Sequence, residues 1–285
     1  MKKENVFIVY FSPAGSTRHV AKVMEKRFQT LDAEVSVFDL AECHGDIAVT
    51  ISRRMENAEG KSCLFIGSPV YASHAVPPVM ECIAGIKENP GMFAVPFVTW
   101  GGACSGISLY EMGKELINKK ATLLGAAKIL AVHSLMWTFE NPLGKGHPDT
   151  GDDHMIEALA NHVHRKLHEV NPKGINLSEL AYQTKADHKE MEKTGLQTAK
   201  AHLPERKIDT GLCNQCRVCS EVCPTDAVRF TPYPEFGDGC VFCFNCMRKC
   251  PEAAIIADLS GIWQRIKDRA AYFSERPYSQ IFYPI

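Results

Sequence analysis

Residues 6–11 form an unbroken apolar run, and after it Val20, Val23, Met24, Phe28 and Leu31 recur at three- and four-residue spacings. The run predicts a strand covered on both faces, and the spacing predicts a helix with one apolar stripe. The alternation continues down the chain. Residues 34–38, 63–66, 93–99 and 123–132 read as further strands, and residues 77–86, 107–119 and 152–169 as further helices. The last helix carries Ile156, Leu159, Val163, Leu167 and Val170 on one face, behind a Thr150-x-x-Asp153 start with the form of a capping box. Five strands interleaved with helices predict an α/β fold, a doubly wound five-stranded parallel sheet over residues 1–170.

Beyond residue 170 the pattern fades. Residues 171–206 are polar, with Lys and Glu alternating between Lys185 and Lys193, and read as a partly helical linker packed along the first unit. Residues 259–272 predict a helix with Ile262, Ile266 and Ala270 on one face, and the aromatic tail 278–285 is expected to pack on the body of the protein.

The chain has 285 residues, 45% hydrophobic and 23% charged, which is ordinary for a soluble protein of about two domains. A net charge of −1 excludes a dominantly basic surface, and nucleic acid is not expected as a partner. The apolar run near the N-terminus is too short for a secretory h-region and lacks a small-residue cleavage site. Residues 91–110 are uncharged, but Pro96, Gly101, Gly102 and Gly106 punctuate them, as suits a buried strand and loop rather than a membrane span. The expectation is a cytoplasmic protein without membrane insertion.

Eight of the twelve cysteines fall in two copies of one spacing. Cys213, Cys216, Cys219 and Cys223-Pro224 read C-x₂-C-x₂-C-x₃-C-P. Cys240, Cys243, Cys246 and Cys250-Pro251 repeat it, and Ala227-Val228 after the first copy matches Ala254-Ile255 after the second. Zinc takes paired knuckles, one tetrahedral set per four ligands. Three evenly spaced cysteines plus a Cys-Pro, in tandem, suit an iron–sulfur cube better than zinc or disulfides. The run resembles that of bacterial two-cluster ferredoxins, in which three close cysteines hold one 4Fe-4S cube and the fourth crosses to the other. That resemblance assigns Cys213, Cys216, Cys219 and Cys250 to one cluster, and Cys240, Cys243, Cys246 and Cys223 to the second. Cys43, Cys63, Cys82 and Cys104 have no ligand spacing and read as small buried hydrophobes.

The first strand runs straight into Ser12-Pro13-Ala14-Gly15-Ser16-Thr17, and a helix follows. Small and hydroxylated residues at a helix N-terminus make an anion site, through backbone N–H groups and the helix dipole. The loop lacks the Gly-Lys-Ser/Thr of a triphosphate loop and the G-x-G-x-x-G of a dinucleotide fingerprint. It resembles the flavodoxin phosphate loop, (S/T)-x-x-G-x-T. Gly67-Ser68-Pro69-Val70-Tyr71, with Pro77-Pro78, is similar to the loop after strand three that borders the flavin, and Thr99-Trp100-Gly101-Gly102 to the loop after strand four.

The whole chain resembles the flavodoxin–ferredoxin fusion proteins common in anaerobes. The resemblance implies a flavodoxin-like FMN-binding domain over residues 1–170 with strand order 2-1-3-4-5. A linker over 171–206, an α+β two-cluster ferredoxin domain over 207–257, and a packed helix and tail over 258–285 would follow. It implies that Ser12, Ala14, Gly15, Ser16 and Thr17 cradle the FMN phosphate. Ser68, Pro69, Val70 and Tyr71 would border the isoalloxazine on one side, and Trp100, Gly101 and Gly102 on the other. The implied role is intracellular electron transfer between two 4Fe-4S clusters and FMN, with ferredoxin-dependent oxidoreductases as redox partners and a homodimer allowed.

No catalytic residue is needed for that role. The alternative is an FMN-dependent reductase of a small molecule, fed by the clusters, with a pocket drawn from residues 100–106 and 133–148 and a histidine as proton donor. His133, His147, His154, Asp149, Asp152 and Asp153 lack a metal-ligand spacing and read as a loop with helix-start acids. That loop is placed either to cover the flavin edge or to meet the ferredoxin module.

Overall fold

β1 (Asn5–Tyr10) is buried at every residue after the first, because it lies inside a sheet covered on both faces. It belongs to a computed structural model that describes residues 3–42 and 45–284; Cys43, read above as a buried hydrophobe, lies outside the described residues. α1 (Ser16–Thr30), β2 (Glu34–Asp39), α2 (Ile47–Glu56), β3 (Ser62–Tyr71), the two-residue β4 (His74–Ala75) and α3 (Pro77–Gly85) follow. β5 (Met92–Trp100), α4 (Ser108–Asn118), the two-residue β6 (Thr122–Leu123), β7 (Ala126–Leu130) and α5 (Thr150–His168) complete this unit. β2, β1, β3, β5 and β7 lie side by side in that order and run parallel. With the short strands set aside, this is the order 2-1-3-4-5.

Alternate residues of each strand serve opposite layers. Ile8, Phe65 and Phe97 pack with Met24 and Phe28 of α1 and Leu159 of α5. Val9, Leu64 and Val98 pack with Ile51, Val79 and Met112 of α2, α3 and α4.

Three details depart from the sequence reading. The hydropathy pattern does not predict α2, which Asp46 caps by accepting the Val49 N–H and which buries Ala48, Ile51 and Met55. The strand expected over 123–132 is two pieces: Phe93 pairs with Thr122 but Phe97 with Ala127, so one extra residue bulges out between β6 and β7. The capping box of α5 is Asp149 with Asp152, not Thr150 with Asp153. Asp152 is buried, and His147 and Ser279 also bind its carboxylate, so it is fixed in place as a cap.

The polar segment contains α6 (Lys185–Glu192) and α7 (Leu196–Lys200). β8 (Lys207–Ile208), α8 (Val218–Glu221), β9 (Val228–Phe230), β10 (Pro234–Phe236), α9 (Asn245–Arg248) and β11 (Ile255–Ile256) come next. β8 pairs antiparallel with β11, tying the start of this module to its end, and β9 pairs with β10. α10 (Ser260–Phe273) then buries Ile262 and Ile266 in a cluster with Met136 and Phe244.

The tail packs on the body as a strand: β12 (Gln280–Phe282) pairs antiparallel with β7 at the edge of the large sheet. Ahead of it Glu275 accepts from Lys128 Nζ at 2.6 Å, inside a cage made by the rings of Trp100, Tyr182 and Tyr278. Lys128 is only 2% exposed, so burying its ammonium without this partner would be costly. No helix among the described residues is long and apolar enough to cross a membrane.

Candidate functional site

β1 ends where the chain turns through residues 12–17 into α1. Gly15 is the N-cap at φ 97°, a left-handed conformation that costs glycine no Cβ clash. It has no side chain to cap the helix, and the first turn holds no acid, so the positive end of the dipole faces the loop uncompensated. Ser12 Oγ accepts the Arg18 N–H at 2.9 Å and keeps its own hydrogen to donate. The Thr17 and Thr99 hydroxyls pair at 2.8 Å, fixing the loop to β5. The Arg18 guanidinium turns away to Asp39, at 2.6 Å, and Glu42, so its charge is neutralised outside the loop.

Ser12, Ala14, Ser16 and Thr17 line a cavity of about 500 Å³, within the usual range for a cofactor site. Pro69, Val70, Tyr71, Trp100 and Gly101 line it too. Ser68 and Gly102 stand behind the wall. Ser68 is fully buried, and its hydroxyl accepts the Val76 N–H at 3.0 Å and donates to the Pro69 carbonyl at 2.8 Å. Gly102, at φ 75°, turns toward Leu143 and Gly144. Gly15 is exposed beside the cavity rather than in it.

The remaining walls come from segments that carry no flavin-like motif: Thr194 and Leu196, Val241 and Phe242, and Arg265 and Arg269 of α10. His133 also lines the cavity, so its loop does reach this site. Burial lowers its pKa to about 4, and its Nδ1 accepts the Leu135 N–H, so the ring is neutral with the proton on Nε2. The same loop meets the cysteine-rich module and α10: Arg248 of the module donates to the Ser134 carbonyl and Trp263 Nε1 of α10 to that of Leu135.

The two cysteine repeats share one backbone. Gln215 and Arg217 of the first (φ 60° and 65°) and Phe242 and Phe244 of the second (53° and 55°) are left-handed at matching positions. So are Asp226 and Ala253, at 50° and 49°, three residues after the fourth cysteine of each repeat. Outside glycine that conformation costs roughly 1–2 kcal/mol per residue. It turns successive N–H groups toward a common centre, as an anionic cluster requires. Phe242 N–H donates to Cys240 Sγ at 3.4 Å and Ala227 N–H to Cys223 Sγ at 3.2 Å.

Cys213, Cys216 and Cys219 line one small cavity together with Cys250 from the other repeat. Burial pushes the Cys243 thiol up to about 12, with like charge from Cys246, Cys240 and Cys223 adding to it. Cys250 of the second repeat thus lies with the first three cysteines, and Cys223 of the first repeat lies near Cys243. Cys216 is exposed, whereas Cys240, Cys243 and Cys246 are buried. The second set adjoins the large cavity, since Val241 and Phe242 lie between two of its cysteines. Tyr71 bridges the two, its hydroxyl held well above the ordinary pKa by burial and by nearby Cys243.

One residue at this site escapes the motif reading. Arg206, at the end of the polar segment, donates to Cys240 Sγ at 3.3 Å and Cys246 Sγ at 3.5 Å, and stacks over Phe236. Only a basic residue just ahead of the first repeat signals it, and sequence spacing gives no reason to pair it with the second.

A 4Fe-4S binding domain matches residues 206–229, the first cysteine repeat. The chain carries a ferredoxin-type iron–sulfur module. Solved structures similar to the N-terminal part include rubredoxin oxygen:oxidoreductase from the anaerobe Desulfovibrio gigas, at 19% identity and TM-score 0.45 over 58% of this chain. The match spans 37% of that protein's length. A flavodoxin from the domain Archaea is similar at 13% identity and TM-score 0.41, over 58% of this chain and 99% of that one. Oxidised Flavodoxin 1 from Bacillus cereus is similar at 12% identity and TM-score 0.42, over 55% and 95%. No curated protein matches the chain. The N-terminal unit is flavodoxin-like in strand order, and the iron–sulfur module follows it in the same chain.

Proposed function

We propose that this protein is an intracellular electron carrier that passes electrons between two 4Fe-4S clusters and FMN, and on to redox partner proteins. One observation carries the reading: a single cavity is lined both by the loop at residues 12–17 and by Val241 and Phe242, between two cysteines of the second set. When bound, the clusters would supply one-electron steps and the flavin one- or two-electron steps.

Cys213, Cys216, Cys219 and Cys250 would hold one cluster at the exposed side, where a ferredoxin-dependent oxidoreductase can dock. Cys240, Cys243, Cys246 and Cys223 would hold the other against the flavin. Ser12, Ala14, Gly15, Ser16 and Thr17 would bind the phosphate, with Pro69, Val70, Tyr71, Trp100 and Gly101 beside the ring. Ser68 and Gly102 would act from behind, by holding those two loops in shape. All of these residues come from one chain, so a homodimer is allowed but not required.

Anaerobic reconstitution is expected to give about eight iron and eight sulfide per chain, with one FMN. Stoichiometric zinc without sulfide would overturn the cluster assignment. Ser12→Ala with Thr17→Ala is expected to weaken FMN binding about tenfold or more, since two hydroxyl donors disappear, while iron content stays constant. Unchanged FMN affinity by fluorescence titration would show that the phosphate lies elsewhere.

A second reading, a reductase of a small acceptor, is favoured by one feature. Arg265 and Arg269 line the cavity without a carboxylate partner among the described residues, and no Asp or Glu lines it. An acceptor of that kind would be an anion. Neutral His133 does not suit it as an imidazolium proton donor. Steady-state turnover of small carboxylates, compared with reduction of carrier proteins, separates the two readings.

A further inference from the structure

We infer that Arg206 raises the reduction potential of the cluster beside the flavin, so that electrons run from the exposed cluster inward. The inference rests on the electron-transfer reading above and adds a direction to it.

Two effects compete at that cluster. Three of its proposed ligands, Cys240, Cys243 and Cys246, are buried and Cys223 is half-buried, whereas in the other set only Cys219 is buried and Cys216 is exposed. Burial disfavours adding an electron to a group that is already anionic. Acting alone, it would make the inner cluster the harder one to reduce and transfer toward the flavin uphill.

Arg206 opposes this. Its two Nη atoms reach Cys240 Sγ at 3.3 Å and Cys246 Sγ at 3.5 Å, two of the four sulfurs. Contacts of this kind strengthen as the sulfurs gain negative charge, so they favour the reduced state over the oxidised one. The guanidinium is held in place by aromatic rings, 3.7 Å from the centroid of Phe236, 5.0 Å from Phe242 and 5.6 Å from Phe244. It makes no ion pair among the described residues, so its charge is not spent elsewhere. Among the described residues no Arg or Lys donates to Cys213, Cys216, Cys219 or Cys250, so the effect falls on one cluster only.

With both clusters bound, the step concerned would be a one-electron transfer, oxidation of one centre balancing reduction of the other, and Arg206 would favour the electron on the centre held by Cys240 and Cys246. No bond forms, and the electron originates with a low-potential one-electron carrier protein outside the chain. Arg206 is a positioning and tuning residue, distinct from the ligands.

The test uses the full chain loaded with iron, sulfide and FMN, as the parent and as Arg206→Lys, Arg206→Gln and Arg206→Met. Poised anaerobic titrations followed by electron paramagnetic resonance give a midpoint for each cluster. Cys216→Ser identifies the signal of the outer one. At the parent's inner-cluster midpoint, the oxidised-to-reduced ratio is expected to rise about tenfold in the Gln and Met variants and less in the Lys variant. The outer midpoint and the FMN content should stay unchanged. An unmoved inner midpoint in variants that keep their iron overturns the inference, as does an equal shift of both clusters. If the Gln and Met variants lose iron, the Lys variant decides, because it keeps the charge but not the two-pronged geometry; an unmoved midpoint there is equally fatal. A parent that binds no iron and sulfide would instead overturn the electron-transfer reading, and this inference with it.

Discussion

Replacing Cys243 by Ala is expected to remove the fast phase of flavin reduction by a low-potential protein donor. In the parent, rapid mixing should show cluster bleaching first, then flavin reduction at a rate independent of protein concentration. That independence follows because donor and acceptor share one chain, and tethering maintains an effective concentration in the millimolar range. Losing the inner cluster leaves only bimolecular encounters, and the rate should fall about 10²–10⁴-fold at micromolar donor. Chemical reduction of the flavin by dithionite should be unaffected. A flavin reduced as fast in the variant would mean that electrons bypass the cysteine module, and the reductase reading would then take precedence.

Lys128→Met is expected to cost about 3 kcal/mol of stability, because it leaves the largely buried Glu275 carboxylate without its cation. The loss should appear in urea unfolding of the loaded protein and as cleavage of the tail in limited proteolysis. Adding Glu275→Gln should restore part of it, since the pair rather than either charge is what the site requires. Burial acts to raise the Glu275 pKa, but the Lys128 charge and hydrogen bonds from Lys128 and Ser105 outweigh it and hold the carboxyl below 4.5. A carboxyl depressed in the folded state stabilises above its unfolded value. The contribution should therefore be complete above about pH 5 and disappear as the pH falls through the folded value. A Lys128→Met protein with unchanged stability and unchanged acid sensitivity would show the pair to be energetically idle.

The parts of the fold that depend on local pattern were legible. Residues 6–11 and 93–99 announce strands because a sheet covered on both faces needs apolar residues at every position. The cysteine spacing marks the iron–sulfur module because a cube is only a few bonds across, and the 4Fe-4S domain match falls on the first repeat. α2 was missed because its face, Ala48, Ile51 and Met55, is short and lies beside Arg53 and Arg54. The Asp46 cap was the available signal. β12 is three residues long and exists only because β7 offers an unpaired edge, which local sequence does not reveal. The cavity was half legible. Residues 12–17 and 69–71 carry family motifs, whereas Thr194, Phe242 and Arg269 reach the same space through tertiary folding alone. Arg206 belongs with them: its partners Cys240 and Cys246 lie more than a full repeat away along the chain.

Because β12 rejoins the sheet after α10, the iron–sulfur module is an insertion within the flavodoxin-like body and not a pendant at its end. A pendant swings on one tether and samples many orientations, few of which bring a cluster near the flavin. A module stitched in at both sides resembles a hinge with its pin fitted. Its reach is set by two anchors, and the separation of the proposed redox centres would become a constant of the fold. Severing the chain between Phe273 and Gln280 would leave every proposed ligand and every cavity wall covalently present, yet release one anchor. Intramolecular transfer in such a nicked protein should become heterogeneous, with many rates in place of one.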